Sequence, residues 1–207
     1  MKILIVDDHA LFRDGMKFLL QELSENIEIS DAQDCLSAIV IAKETPFQLV
    51  LMDLKMPGST GVEALVSFRN ACPETPVVVL SGEGTPAVVR EAIQKGAMGF
   101  LTKSSSHEIM IHALQLVLSG GIYLPPSVLG NDELMDDPQV SLDGLTDRQL
   151  EVLKNVIEGK SNKAIAKNLN VSAHTVKSHL STVFSILGAH NRTEAVYKAA
   201  KLGVKLP

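Results

Sequence analysis

Leu49-Val50-Leu51-Met52-Asp53-Leu54-Lys55-Met56-Pro57-Gly58 is the stretch whose reading decides the fold. Four apolar residues run into one carboxylate, and a Pro-Gly turn follows within a few positions. A short apolar run bounded by turn residues reads as a strand buried on both faces, the kind found in parallel sheets covered by helices. Asp53 then falls at the C-terminal end of that strand, where open parallel sheets bind their ligands.

The same pattern recurs outward from it. Ile3-Leu4-Ile5-Val6 ends in Asp7-Asp8, Val77-Val78-Val79-Leu80 ends in Ser81, and Gly99-Phe100-Leu101-Thr102 ends in Lys103; a shorter strand is expected near 27–32. Helical spacings of three and four separate them. Leu11, Phe12, Met16, Leu19, Leu20 and Leu23 form one stripe, and Leu36, Ile39, Val40 and Ala42 another. Further helices are expected over 62–68, 88–95 and 107–118. Five strands alternating with five helices predict a doubly wound α/β domain built on a five-stranded parallel sheet.

The strand ends collect Asp7, Asp8, Asp53, Ser81 and Lys103. Clustered carboxylates repel one another, and their hard oxygen atoms suit Mg²⁺. Asp53, kept ionised, is a candidate nucleophile toward a phosphoryl group. A lysine and a hydroxyl opposite it can hold the phosphoryl oxygens as charge develops.

Composition separates this part from the rest. With 45% hydrophobic and 21% charged residues, the 207-residue chain is that of a folded protein large enough for two cores. Residues 1–125 carry 9 Lys/Arg against 15 Asp/Glu, residues 126–142 carry only 4 acids, and residues 143–207 carry 10 Lys/Arg against 5 acids. An acidic first part and a basic last part point to different partners, with a polyanion for the second. Cys35 and Cys72 stand at no metal-ligand spacing and read as buried thiols in a reducing cytosol. No apolar run approaches the ~18 residues that span a bilayer, so a cytoplasmic protein with no membrane partner is expected.

Glycines and prolines at 120–126 end the first domain, and an acidic tether is expected over 126–142. Thr146-Asp147-Arg148-Gln149 then has capping-box spacing ahead of Leu150, Val152, Leu153, Val156 and Ile157. Gly159 ends that helix. Ser161 can cap a second helix whose core stripe is Ala164, Ile165 and Leu169. Ser172 can cap a third over 173–187, and Asn191 opens a fourth. On the third helix Val176, Leu180, Val183 and Leu187 share one face, while His174, Ser178, Ser181 and Ser185 lie opposite, flanked by Lys177 and Thr182. Two helices across a tight turn in a small, basic, all-α four-helix unit read as a helix-turn-helix able to enter a major groove.

Two resemblances sharpen this reading. Residues 1–125 resemble the flavodoxin-like receiver domain of two-component response regulators, through Val6-Asp7-Asp8-His9, Met52 to Gly58, Val79-Leu80-Ser81 and Gly96 to Lys103. That resemblance implies that Asp53 accepts a phosphoryl group from a sensor histidine kinase. It implies Mg²⁺ on Asp8, Asp53 and the backbone carbonyl of Lys55, with Asp7 acting indirectly. Lys103 and Ser81 would assist, and Ser81 with Phe100 would form the switch pair. Residues 143–207 resemble the LuxR-type helix-turn-helix domain, through Leu145 to Leu153, Gly159 to Ala166, Val171 to Leu180 and Arg192 to Ala195. By that resemblance Lys163, Thr175 and Lys177 touch DNA phosphate, while Ser178 and Ser181 face base edges. Ile186 stands where that family usually has lysine, and Ser181 and Ser185 where basic residues are frequent.

The pairing is similar to NarL/FixJ-type regulators: a transcription factor for double-stranded DNA, dimeric when phosphorylated, and an enzyme only toward its own aspartate. A phosphatase or phosphotransferase acting on a small molecule would share the Asp–Mg²⁺ chemistry but leave residues 144–207 without a use.

Overall fold

The structure is a computed structural model that describes residues 1–59, 61–119, 121–129, 142 and 144–204. The chain divides into two compact units, Met1–Gln115 and Leu116–Pro207.

In the N-terminal unit the elements run β1 (Lys2–Val6), α1 (Ala10–Leu23), β2 (Glu28–Ala32), α2 (Cys35–Glu44), β3 (Leu49–Asp53), α3 (Glu63–Ala71), β4 (Val77–Ser81), α4 (Pro86–Gln94) and β5 (Gly99–Thr102), with α5 (His107–Leu118) continuing beyond it. The sheet is parallel throughout, in the order β2-β1-β3-β4-β5. This is the doubly wound α/β architecture expected from the alternating pattern. Every residue of β3 and β4 is buried, as apolar runs covered on both faces must be. Each fully buried Val, Leu or Ile contributes roughly 1.5–3 kcal/mol, so these strands hold the unit together. Because β1 and β4 flank β3, the ends of all three open on one edge of the sheet, with Asp53 in the middle.

Periodicity misjudged two helix faces. Leu11 was expected in the α1 stripe but is 87% exposed, whereas Arg13 lies inside with Met16 and Leu20. On α2, Leu36 and Val40 point outward while Cys35 and Ala38 are buried. That helix has no charged residue before Lys43, so its sequence offers no polar side by which to choose a face.

In the C-terminal unit α6 (Pro126–Leu129), α7 (Asp147–Ile157), α8 (Asn162–Asn168), α9 (Ala173–Ile186) and α10 (Arg192–Lys201) follow. The last four are the expected four-helix unit. Val152, Val156, Ile165, Val176, Val183 and Ala195 form its centre. The capping box of α7 is present, with Thr146 Oγ1 accepting from Gln149 N and Gln149 Oε1 accepting from Thr146 N. On α8 the core position is Ala166 rather than the expected Ala164, which is exposed. Asn170, in the turn between α8 and α9, has φ 53°, a left-handed conformation that asparagine tolerates better than most residues. Of the stretch read as an acidic tether, 126–129 form α6, which packs on α10, and Leu142 lies against the unit's core. Asp132, Glu133, Asp136 and Asp137 lie outside the described residues.

Candidate functional site

The edge of the sheet gathers the predicted residues of the first unit. Asp7 follows β1 and is fully buried, Asp53 ends β3 at 1% exposure, and Ser81 ends β4 at 1%. Lys103 follows β5 and bridges the two carboxylates, its Nζ 2.6 Å from Asp7 Oδ2 and 2.7 Å from Asp53 Oδ2. The ammonium also stands over the Phe12 ring, 4.6 Å from its centre. Burial alone would lower the Lys103 pKa, but its contacts with Asp53 and Asp7 outweigh that and raise it above 10.5. A permanent cation thus sits between two carboxylates that could not otherwise both be buried and ionised.

Asp7 is ringed by donors. Oδ1 accepts from the His9 backbone N–H at 2.8 Å and lies 3.2 Å from His9 Nδ1; Oδ2 pairs with the Lys103 ammonium at 2.6 Å by charge, outside hydrogen-bonding geometry; the main-chain carbonyl accepts from Arg13 at 2.6 Å. Asp8 Oδ1 is likewise buried without a hydrogen bond, with His9 Nδ1 2.8 Å away outside bonding geometry. Asp53 Oδ1 accepts from the Lys55 backbone N–H at 3.1 Å. Ligand atoms of Asp7, Asp8, His9 and Asp53 lie within 4.8 Å of one another. Three carboxylates, two of them with a buried oxygen that accepts no hydrogen bond, form a donor set that fits a hard divalent cation.

Two loops close over this edge. Ser81 Oγ accepts from the Glu83 backbone N–H at 3.2 Å, and Glu83 Oε1 pairs with Lys55 Nζ at 2.7 Å. That pair ties the loop after β4 to the loop after β3. Gly84 allows the first loop to press on β5, since a Cβ there would collide with the Thr102 side chain. Phe100 is fully buried beneath it.

In the C-terminal unit α8 and α9 pack together, and Val176, Leu180, Val183 and Leu187 are buried as their spacing predicted. Lys163, Lys177, Ser178 and Ser181 are exposed. Thr175 is half-buried, its hydroxyl 2.8 Å from that of the N-cap Ser172. Ile186 is partly buried and packs against the core cluster. Arg192 is desolvated, which brings its pKa down to about 10, and donates to the carbonyls of Val156 at 3.1 Å and Lys160 at 2.7 Å. Arg148 likewise donates to the Leu169 carbonyl and to Glu151 Oε2. Both arginines fix the helix frame around α9.

Sequence reading missed His9, Arg13 and Glu83. Arg13 alone left a signal, a cation at the i, i+3, i+7 spacing of Met16 and Leu20. The other two gain their partners from loop geometry.

Known proteins match this arrangement. The model of the response regulator receiver domain matches residues 3–115, and that of the bacterial regulatory proteins of the luxR family matches residues 143–199. The glycerol metabolism activator of Pseudomonas putida is 37% identical over 211 residues, covering 97% of this chain and 96% of the relative. The transcriptional regulatory protein YdfI of Bacillus subtilis is 35% identical over 207 residues, covering 98% and 97%. A solved structure of the Salmonella typhimurium RcsB response regulator shares the fold, with a TM-score of 0.57, 23% identity and coverage of 95% and 96%. Among the described residues no helix is long and apolar enough to cross a membrane. The chain belongs to the DNA-binding response regulators of two-component systems, with a receiver domain ahead of a luxR-family domain.

Proposed function

We propose that Asp53 is the phosphoacceptor and that its phosphorylation by a sensor histidine kinase controls binding of the luxR-family domain to double-stranded DNA. The observation that carries this reading is the Asp7–Lys103–Asp53 bridge at one sheet edge, with the Ser81 hydroxyl on the neighbouring strand.

The transfer is a displacement. An Asp53 carboxylate oxygen attacks phosphorus, a P–O bond forms, the P–N bond to the kinase imidazole breaks, and the imidazole leaves with its electron pair. Both Asp53 oxygens are held beforehand, one by the Lys55 N–H and one by Lys103. Lys103 therefore has to pass from the carboxylate to the phosphoryl oxygens as charge moves onto them. Ser81 gives up the Glu83 N–H to turn its hydroxyl toward the same group, and Phe100 completes the switch pair from its buried position. Asp8, Asp53 and the Lys55 carbonyl would hold Mg²⁺, and Asp7, paired with Lys103, acts through the pocket. A bound Mg²⁺ supplies charge neutralisation for the carboxylates and the transferred group. The chemistry is confined to Asp53 itself, gained and lost, with no other substrate.

On the DNA side Lys163, Thr175 and Lys177 contact phosphate, and Ser178 and Ser181 face base edges. Phosphate contacts set affinity and base edges set sequence choice. With Ile186 packed against the core and serines at 181 and 185, the interface has few cations, so binding leans on a homodimer. The domain limits of this reading are 1–125, 126–142 and 143–207, in a cytoplasmic protein.

The test is DNA affinity across a salt series on a fragment of the protein's own promoter region, with and without Mg²⁺ and beryllofluoride. Tighter binding in the presence of the mimic, abolished by Asp53→Asn, is the expected result. Salt-dependent binding that ignores the mimic would leave a constitutive DNA binder and sink the switch.

A further inference from the structure

Arg13 is a buried cation on the inner face of α1. It is 7% exposed and shares that face with Met16 and Leu20, where core filling alone calls for an aliphatic side chain. Burying a guanidinium costs several kcal/mol unless its partners are well placed, so its partners show what it is for. Nε donates to Asp31 Oδ2 at 3.2 Å, and Nη1 donates to the main-chain carbonyl of Asp7 at 2.6 Å.

The second bond lies where the sheet gives out. The β1 ladder pairs Val6 with Ala32 on one side and with Met52 on the other. Asp7 N–H still reaches the Ala32 carbonyl at 3.1 Å. Among the described residues, the Asp7 carbonyl is held by Arg13 instead of a strand. That carbonyl belongs to the peptide unit joining Asp7 to Asp8, so its direction fixes where the Asp8 side chain leaves the backbone. The other end of the guanidinium is anchored as well. Asp31 also takes Lys17 Nζ at 2.9 Å, and this contact first of all, with the Arg13 charge adding to it, holds the Asp31 carboxyl below its ordinary value of 3.8.

We propose that Arg13 is a positioning residue for the cation site, holding the Asp7–Asp8 peptide so that the Asp8 carboxylate faces Asp53. It touches none of the reacting atoms. It deepens the phosphoacceptor reading above and rests on it. An arginine fits the task because its rigid fork serves two acceptors in fixed directions, whereas a lysine offers a single point charge on a flexible stem. Partners of this outer kind, when removed, cost about 10–100-fold in metal affinity elsewhere.

The experiment is a titration of the full chain with Mn²⁺, reading free Mn²⁺ by electron paramagnetic resonance, alongside thermal melts in EDTA. Wild type, Arg13→Met, Arg13→Lys and Asp31→Asn are compared. The expected result is an affinity about tenfold weaker for Arg13→Met, partial rescue by Arg13→Lys, and a smaller loss for Asp31→Asn, which keeps the arginine but frees its anchor. Variants that melt lower in EDTA yet bind Mn²⁺ as wild type does would overturn the proposal and leave Arg13 a fold staple. Should Arg13→Met fail to fold, Arg13→Lys and Asp31→Asn decide: wild-type affinity in both overturns the proposal. A wild type that takes up no Mn²⁺, or takes up as much after Asp53→Asn and Asp8→Asn, removes the cation-site reading itself and this proposal with it.

Discussion

Lys103 shows at the scale of one residue how a functional group and a fold contact can coincide. Its ammonium bridges Asp7 and Asp53, which are 0% and 1% exposed. Lys103→Met keeps the stem over Phe12 but leaves both carboxylates facing each other, and removing one member of a buried ionic group costs about 3–5 kcal/mol. The expected outcome is a lower melting temperature in EDTA, with millimolar Mg²⁺ recovering more stability in the variant than in wild type. The sign with pH follows from the raised Lys103 pKa. Its stabilisation is complete below 10.5 and fades only as pH climbs through the higher folded value, so the gap between variant and wild type holds constant from pH 6 to 9. Cys35 behaves in the opposite spirit. Desolvation, with the Asp34 charge and Cys72 adding to it, pushes its thiol above the ordinary 9.0. Thiolate is the reactive form, so at pH 8 the native chain should react with a disulfide reagent far more slowly than the denatured chain, in which both cysteines are titrated. Rapid native labelling at Cys35 would contradict the burial.

At the scale of elements, the sequence was most legible where two independent signals agreed. The strands ending in Asp53 and Ser81 combine an apolar run with a turn, and their ends lie where expected. The four helices after 145 each begin at a Ser, Thr or Asn whose side chain accepts a backbone N–H. Thr146 tests the value of such a signal. Thr146→Ala removes the capping box and should cost about 1 kcal/mol. By calorimetry of the full chain, the transition of the C-terminal unit should fall by about 4–8 °C while that of the receiver stays. An unmoved transition would mean that tertiary packing alone sets the start of α7. Where only one signal was present, the reading slipped. α2 is apolar almost all round, so spacing could not tell Leu36 from Ala38, and α8 is short enough that Ala164 and Ala166 look alike. Arg13 went unread, because its partners lie at the far end of β1 and on β2.

At the scale of the whole molecule, two units of opposite charge balance could be read from composition alone, and each has its own core. The membership of the candidate site was legible because a parallel sheet delivers its strand ends to one place. Which oxygen meets which nitrogen was not, since that depends on loop paths such as the Lys55–Glu83 tie. The same layout has a consequence for how such a chain can change over generations. The bodies of β1, β3 and β4 are apolar and sealed, while the candidate site residues Asp53 and Ser81 are the last residues of their strands and Asp7 and Lys103 stand just past theirs. Edits such as Asp53→Asn or Ser81→Ala therefore fall outside the stretches that carry most of the buried apolar area. If those positions carry the proposed switch, a lineage can retune, silence or repurpose it there and still inherit a protein that folds.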